Sequence, residues 1–211
     1  HGALDNIKGA KLLKLFGYKH TIFFYLVYIF ISLSIVIIWL IFPNTVLLLF
    51  LIVAAYHFGK EDTVFSFKKK FFISEFLFFL KGSAVIMAPL LLKRDETNEI
   101  FKILNFNLFE AKFFNDEFLI IMLCLSFLSS FYISKKENTD LKSVMVVDFF
   151  SLVILNLFFS PVLAFTLYFC FLHSIRHSIS LIFELDKSFK LGLKKFIKKA
   201  IPLTIATGVM F

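Results

Sequence analysis

Thr21–Phe42 reads TIFFYLVYIFISLSIVIIWLIF and contains no charged residue. As a helix, a run of this length rises roughly 33 Å, enough to cross a hydrocarbon core of about 30 Å. A helix in the core of a soluble protein keeps a polar stripe toward water. Within Ile29–Phe42 only two serines interrupt the apolar surface, so no face suits water. The segment reads as a membrane span.

Working outward, the same pattern recurs. The spans expected from hydropathy are Thr21–Phe42, Thr45–Phe58, Phe71–Leu92, Phe118–Ile133, Val144–Phe159 and Pro161–Phe183, with a seventh beginning near Ile201. Pro43-Asn44 and Ser160-Pro161 form tight connections, because proline ends one helix or starts the next. An apolar content of 59% and a mean hydropathy of +0.86 fit this class and exclude an ordinary soluble domain. The expected fold is therefore an all-α, polytopic membrane bundle forming one domain over residues 1–211. His1 opens a motif and the apolar run Ile201–Phe211 stops short of a span, so further helices are expected on either side.

Lysine and arginine orient the bundle. Four segments carry seventeen basic residues on one side: Lys8–Lys19, Lys60–Lys70, Lys135–Lys142 and Lys187–Lys199. The other side has only Lys93, Arg94, Lys102 and Lys112, in a long loop with six carboxylates that is expected to hold an interfacial helix. The positive-inside rule makes the basic side cytoplasmic, which predicts a multi-pass protein of the cell inner membrane. The net charge of +8 is thus a topology signal and no nucleic-acid footprint. Cys124 and Cys170 lie within spans, without disulfide or metal-ligand spacing, and read as packing residues. The 33 phenylalanines suit lipid-facing surfaces, and the lining of an apolar tunnel would favour them too.

Ionisable residues inside a membrane are costly and point to function. Of the five histidines, His173 and His177 stand four apart on one helix face. Two imidazoles at that spacing can bind one ion, and they can equally hydrogen-bond to neighbouring helices. His57 ends the second span on the cytoplasmic side. His173 and His177 lie roughly 15 and 9 Å from the inner end of the sixth span at 1.5 Å per residue. His1 precedes the first basic segment, so all four can meet near the inner leaflet. His20, beside lysine, reads as interfacial. Neutral imidazoles suit iron, copper, zinc or nickel. Asp5 and Asp62 stand a few residues from these histidines, where carboxylates orient metal-bound imidazoles or simply cap helices. Arg176 needs an anion, with Asp148 or Glu184 as candidates, and Lys81 lies mid-span with no partner assigned.

Three stretches resemble one family: His1-Gly2-Ala3-Leu4-Asp5, Tyr56-His57-Phe58-Gly59-Lys60-Glu61-Asp62, and Tyr168-Phe169-Cys170-Phe171-Leu172-His173-Ser174-Ile175-Arg176-His177. In this order they resemble the Brp/Blh family of bacterial and archaeal β-carotene 15,15′-dioxygenases. The resemblance implies central cleavage of β-carotene by O2 to two retinal molecules in a multi-helix membrane fold. It implies Fe(2+) as cofactor, with His1, His57, His173 and His177 as its ligands. It also implies β-carotene, O2 and the bilayer as partners, and a functional link to a microbial rhodopsin through retinal. Phe58, Tyr168 and Phe171 flank the ligands and are candidates for a substrate tunnel, a role that helix packing explains as well.

Three rival readings remain at this stage. Membrane di-iron desaturases use more histidines than the five present. A bis-histidine haem protein needs fewer than the four gathered here. A non-enzymatic retinoid or carotenoid binder with a Schiff base needs a lysine in a late helix, whereas the mid-span lysine is Lys81, in the third span.

Overall fold

The computed structural model describes residues 5–17, 22–64, 73–104, 106, 114–136 and 142–210. Every helix or turn among them follows the expected all-α pattern. The helices are α1 (Asp5–Leu15), α2 (Ile22–Ile41), α3 (Pro43–Val64), α4 (Ser74–Leu92), α5 (Arg94–Ile103), α6 (Asp116–Lys136), α7 (Lys142–Phe158), α8 (Pro161–Leu167), α9 (Ser174–Leu185) and α10 (Phe189–Met210). A π turn, Tyr168–His173, joins α8 to α9.

Among the described residues, five stretches are long and apolar enough to cross a membrane: Ile22–Ile41, Pro43–Thr63, Ser74–Leu92, Asp116–Lys136 and Pro161–Leu185. The expected count of six is corrected by α7, whose apolar part Ser143–Phe158 is shorter than a perpendicular crossing needs. Two boundaries also move. α3 continues past Phe58 through Gly59-Lys60-Glu61-Asp62, so Asp62 is helical rather than in a loop. The lysine-rich segment before Ile201 is helical too, within one α10 that carries Pro202 inside it.

The chain divides into two compact units, one of His1–Ile41 with His177–Phe211 and the other Phe42–Arg176. In the first, α2 has no buried residue, as suits a helix presenting itself to lipid. Gly9 of α1 lets the Phe24 ring of α2 come in close. α10 is tied at its start by Asp186, which accepts from the Ser188 amide at 3.0 Å and from Lys195 Nζ at 2.6 Å. The Lys195 contact, then the Ser188 amide, holds the half-buried Asp186 carboxyl below its ordinary range.

The second unit is built around α4. Ser74, Phe78, Leu90 and everything from Leu80 to Ala88 are buried on it, and α3, α6 and α7 pack against it. Small residues make the close contacts. A Cβ on Gly82 would stand 1.9 Å from the Ala55 carbonyl oxygen, and one on Gly59 would stand 1.8 Å from that of Phe78. The backbones of α3 and α4 can approach so closely only because both positions are glycine. On the other flank, Ser126 and Ser129 of α6 donate to the carbonyls of Lys81 and Leu77 at 2.8 and 2.6 Å. Such hydroxyl contacts join helices where lipid supplies no competing water. Phe58, Ala84, Val85, Ala88, Leu152 and Tyr168 form the core beneath the site.

Candidate metal centre and substrate groove

The chemistry of this unit centres on Asp62. The extra turns of α3 carry it to the π turn, where Tyr168 donates to Oδ2 at 2.5 Å and His173 Nδ1 lies 2.8 Å from Oδ1. In an α-helix, residues five apart diverge by about 140°. The wider π turn brings Tyr168 and His173 into line, their rings stacked at 6.3 Å and 28°. His173 is completely buried. An ionised carboxylate only accepts, which favours a hydrogen on Nδ1; in a neutral ring so held, the lone pair is on Nε2. That is the tautomer a metal ligand needs, held by the kind of carboxylate that orients such ligands.

His57 comes next to this pair, its ring centroid 5.4 Å from that of His173. With metal–nitrogen bonds of about 2 Å, two imidazoles on one ion stand roughly 4.5 to 6 Å apart, so the spacing fits a shared ion. Phe58 and Phe169 wall His173 in at 4.8 and 5.6 Å between centroids. His1 and His20 lie outside the described residues, as does the side chain of Asp5. His177 is half-buried on α9 and belongs to the other unit. The structure thus brings together His57, His173 and Asp62. Among the described residues no group of three or more His, Cys, Asp or Glu is poised to hold an ion.

Behind Asp62 lies a small cavity of about 20 Å³, with Lys81, Asp148 and Tyr168 among otherwise mostly apolar lining residues. That volume suits one water. The buried Lys81 shares this lining with both carboxylates, and Asp148 grips Arg176 through two bonds of 2.5 Å. Asp62, Lys81 and Asp148 thus share one cavity, and Asp148 is paired with Arg176. The sequence flags Lys81 as costly, yet nothing in its spacing names Asp62 or Asp148 as counter-charges. Above the site, Lys60 joins Tyr56 at 2.5 Å to Glu75 at 3.0 Å, tying α3 to α4.

On the other side of Phe58 opens an apolar groove of about 540 Å³. His57 and Phe58 line it together with residues of α4, α5 and α8. The remaining tunnel candidates stand elsewhere. Tyr168 is in the core with its hydroxyl on Asp62, and Phe171 is 64% exposed.

A sequence model of the beta-carotene 15,15′-dioxygenase family matches residues 1–211. The chain belongs to this family. No curated protein and no solved structure matches it.

Proposed function

We propose that the chain cleaves the central 15,15′ double bond of β-carotene with O2, giving two molecules of retinal, at a non-haem Fe(2+) held by His1, His57, His173 and His177. The observation that carries this reading is the juxtaposition of His57, a lining residue of the apolar groove, with His173, whose ring Asp62 orients. Iron, when bound, supplies the O2-activating chemistry. The protein's own residues do the rest. Asp62 and Tyr168 fix the His173 ring in one tautomer and one plane. Phe58 separates the groove from the charged cavity, so the polyene meets carbon on that side rather than water or carboxylate. The groove places one double bond of the chain beside His57. One oxygen atom of O2 ends in each aldehyde as the carbon–carbon double bond is broken, so no outside reductant is required.

The basic segments put this centre toward the cytoplasmic side of the inner membrane. Retinal released there can serve a microbial rhodopsin in the same bilayer. The test is metal analysis of the full-length protein. His57→Ala and His173→Ala should each lower bound iron and turnover, and His20→Ala should leave both intact. The double variant should be little worse than either single one, because ligands of one ion act as a unit. Normal iron and turnover in the double variant would refute the site.

A further inference from the structure

The groove has a direction, and helix packing fixes it. Gly59 meets Phe78 and Gly82, whereas Ala55 meets Gly82 from the other side, so α3 and α4 run antiparallel. Earlier residues on α3 therefore face later ones on α4. Among the lining residues, His57 and Phe58 share one end with Val85, while Phe50 and Leu51 share the other with Pro89. The α8 wall runs the same way. Phe165 packs edge-on against Phe58 at 6.0 Å, and Pro161 lies one turn away toward the far end. Just past Pro89 the chain turns into α5, whose Thr97, Ile100 and Phe101 complete the lining. Those three positions, i, i+3 and i+4, form one helix face. The groove thus runs from His57 to a wall made by α5.

Its length matches a chemical length. From Phe50 to His57 α3 rises roughly 10 Å, about the reach of the four conjugated double bonds between the central bond of β-carotene and either ring. The wall is also held firmly. The Thr97 hydroxyl is buried against the carbonyls of Pro89 and Lys93 at 3.0 and 2.7 Å. Arg94 donates to the Phe114 carbonyl at 2.6 Å and pairs with Asp116. Phe101 is braced edge-on by Phe106 at 5.9 Å.

We propose that the α5 face of Thr97, Ile100 and Phe101 is the ring stop that makes cleavage central: a polyene entering ring-first halts on it with its 15,15′ bond beside His57. This rests on the carotenoid reading of the site and adds which residues choose the bond.

The experiment uses full-length protein with β-carotene and chromatography of the aldehydes. Iron content and elution as a single species are checked for each variant. In an Ile100→Ala, Phe101→Ala variant the ring slides past its stop. A pair of unequal aldehydes, one longer and one shorter than C20, should then rise several-fold relative to retinal. Val53→Ala, on the side of the groove, should change turnover with retinal still the sole product. If the double variant does not stay folded, Ile100→Val and Phe101→Leu decide the matter with a smaller shift of the same kind. Retinal as sole product from every α5 variant, at normal iron content, overturns the ring stop and leaves the carotenoid reading standing. No aldehyde from the unmodified, iron-loaded chain overturns both.

Discussion

Replacing Asp62 by Asn keeps the shape of the side chain and removes its charge, which isolates what the carboxylate does for His173. Asp62 accepts two hydrogen bonds, from Tyr168 at 2.5 Å and from His173 Nδ1 at 2.8 Å, with only 5% of its side chain exposed. An amide has one accepting oxygen and must turn its NH2 toward the other partner. If the NH2 faces His173, the ring moves its hydrogen to Nε2 and loses the lone pair that would bind iron. If it faces Tyr168, the tautomer survives with a weaker, uncharged acceptor. Hydrogen bonds to charged groups contribute about 1.5–3 kcal/mol and neutral ones about 0.5–1.5, so the orienting contact weakens by roughly 1–2 kcal/mol. At 1.4 kcal/mol per factor of ten, that is about a 5- to 30-fold loss of iron affinity. The estimate overlaps the lower part of the 10- to 100-fold range typical of losing a ligand's outer partner. The assay is competition with a chelator, reading iron retained per protein. Asp62→Asn should release iron at lower chelator concentration than wild type, with Tyr168→Phe in between. Retention equal to wild type in Asp62→Asn would refute the idea that Asp62 orients a metal ligand.

Gly82→Ala drives a Cβ to 1.9 Å from the backbone oxygen of Ala55. It should cost about 1–3 kcal/mol or more, read as a lowered Tm in detergent. Gly208→Ala, with nothing within 4 Å, should leave the Tm unchanged. Arg176→Met leaves Asp148 in the bundle without its two-bonded partner and should cost about 3–5 kcal/mol. Adding Asp148→Leu should recover most of that loss, and a double variant as unstable as the single one would contradict the ion-pair account. For topology, single cysteines at Glu99 and Lys136 should be labelled from opposite sides of the membrane. Labelling of both from one side would overturn the orientation drawn from the basic residues.

Spans were legible wherever hydropathy alone decides them: α2, α4, α6 and the stretch Pro161–Leu185 fall where uninterrupted apolar runs lie. What was not legible depends on tertiary partners. The charges after Phe58 look like the start of a loop, yet α3 continues because Asp62 finds Tyr168 and His173, and Lys60 finds Tyr56 and Glu75. The π turn is invisible to a 3.6-residue period. It is what aligns Tyr168 with His173 and turns a residue that reads as tunnel lining into a hydrogen-bond donor. Arg176 shows the opposite case. An intramembrane cation demands an anion, and Asp148 was nameable from the sequence because it stands alone near the start of its helix. Lys81 made the same demand, but the carboxylates that share its cavity, Asp62 and Asp148, come from two different helices and no spacing in the sequence reveals them. The first half of α10 was missed because its lysines suggest solvent, whereas a helix can carry them along an exposed face; its second half lies where a seventh span was expected near Ile201.

The most direct test of the central claim is the product formed by full-length, iron-loaded protein in a β-carotene-accumulating bacterial host. The account predicts that the cells bleach and yield retinal as a single C20 aldehyde. With labelled O2, one labelled atom should appear in each aldehyde once exchange with water is suppressed. Unchanged pigment in cells with confirmed expression and iron loading would contradict it, and one of the two oxygens coming from water would contradict the dioxygenase step.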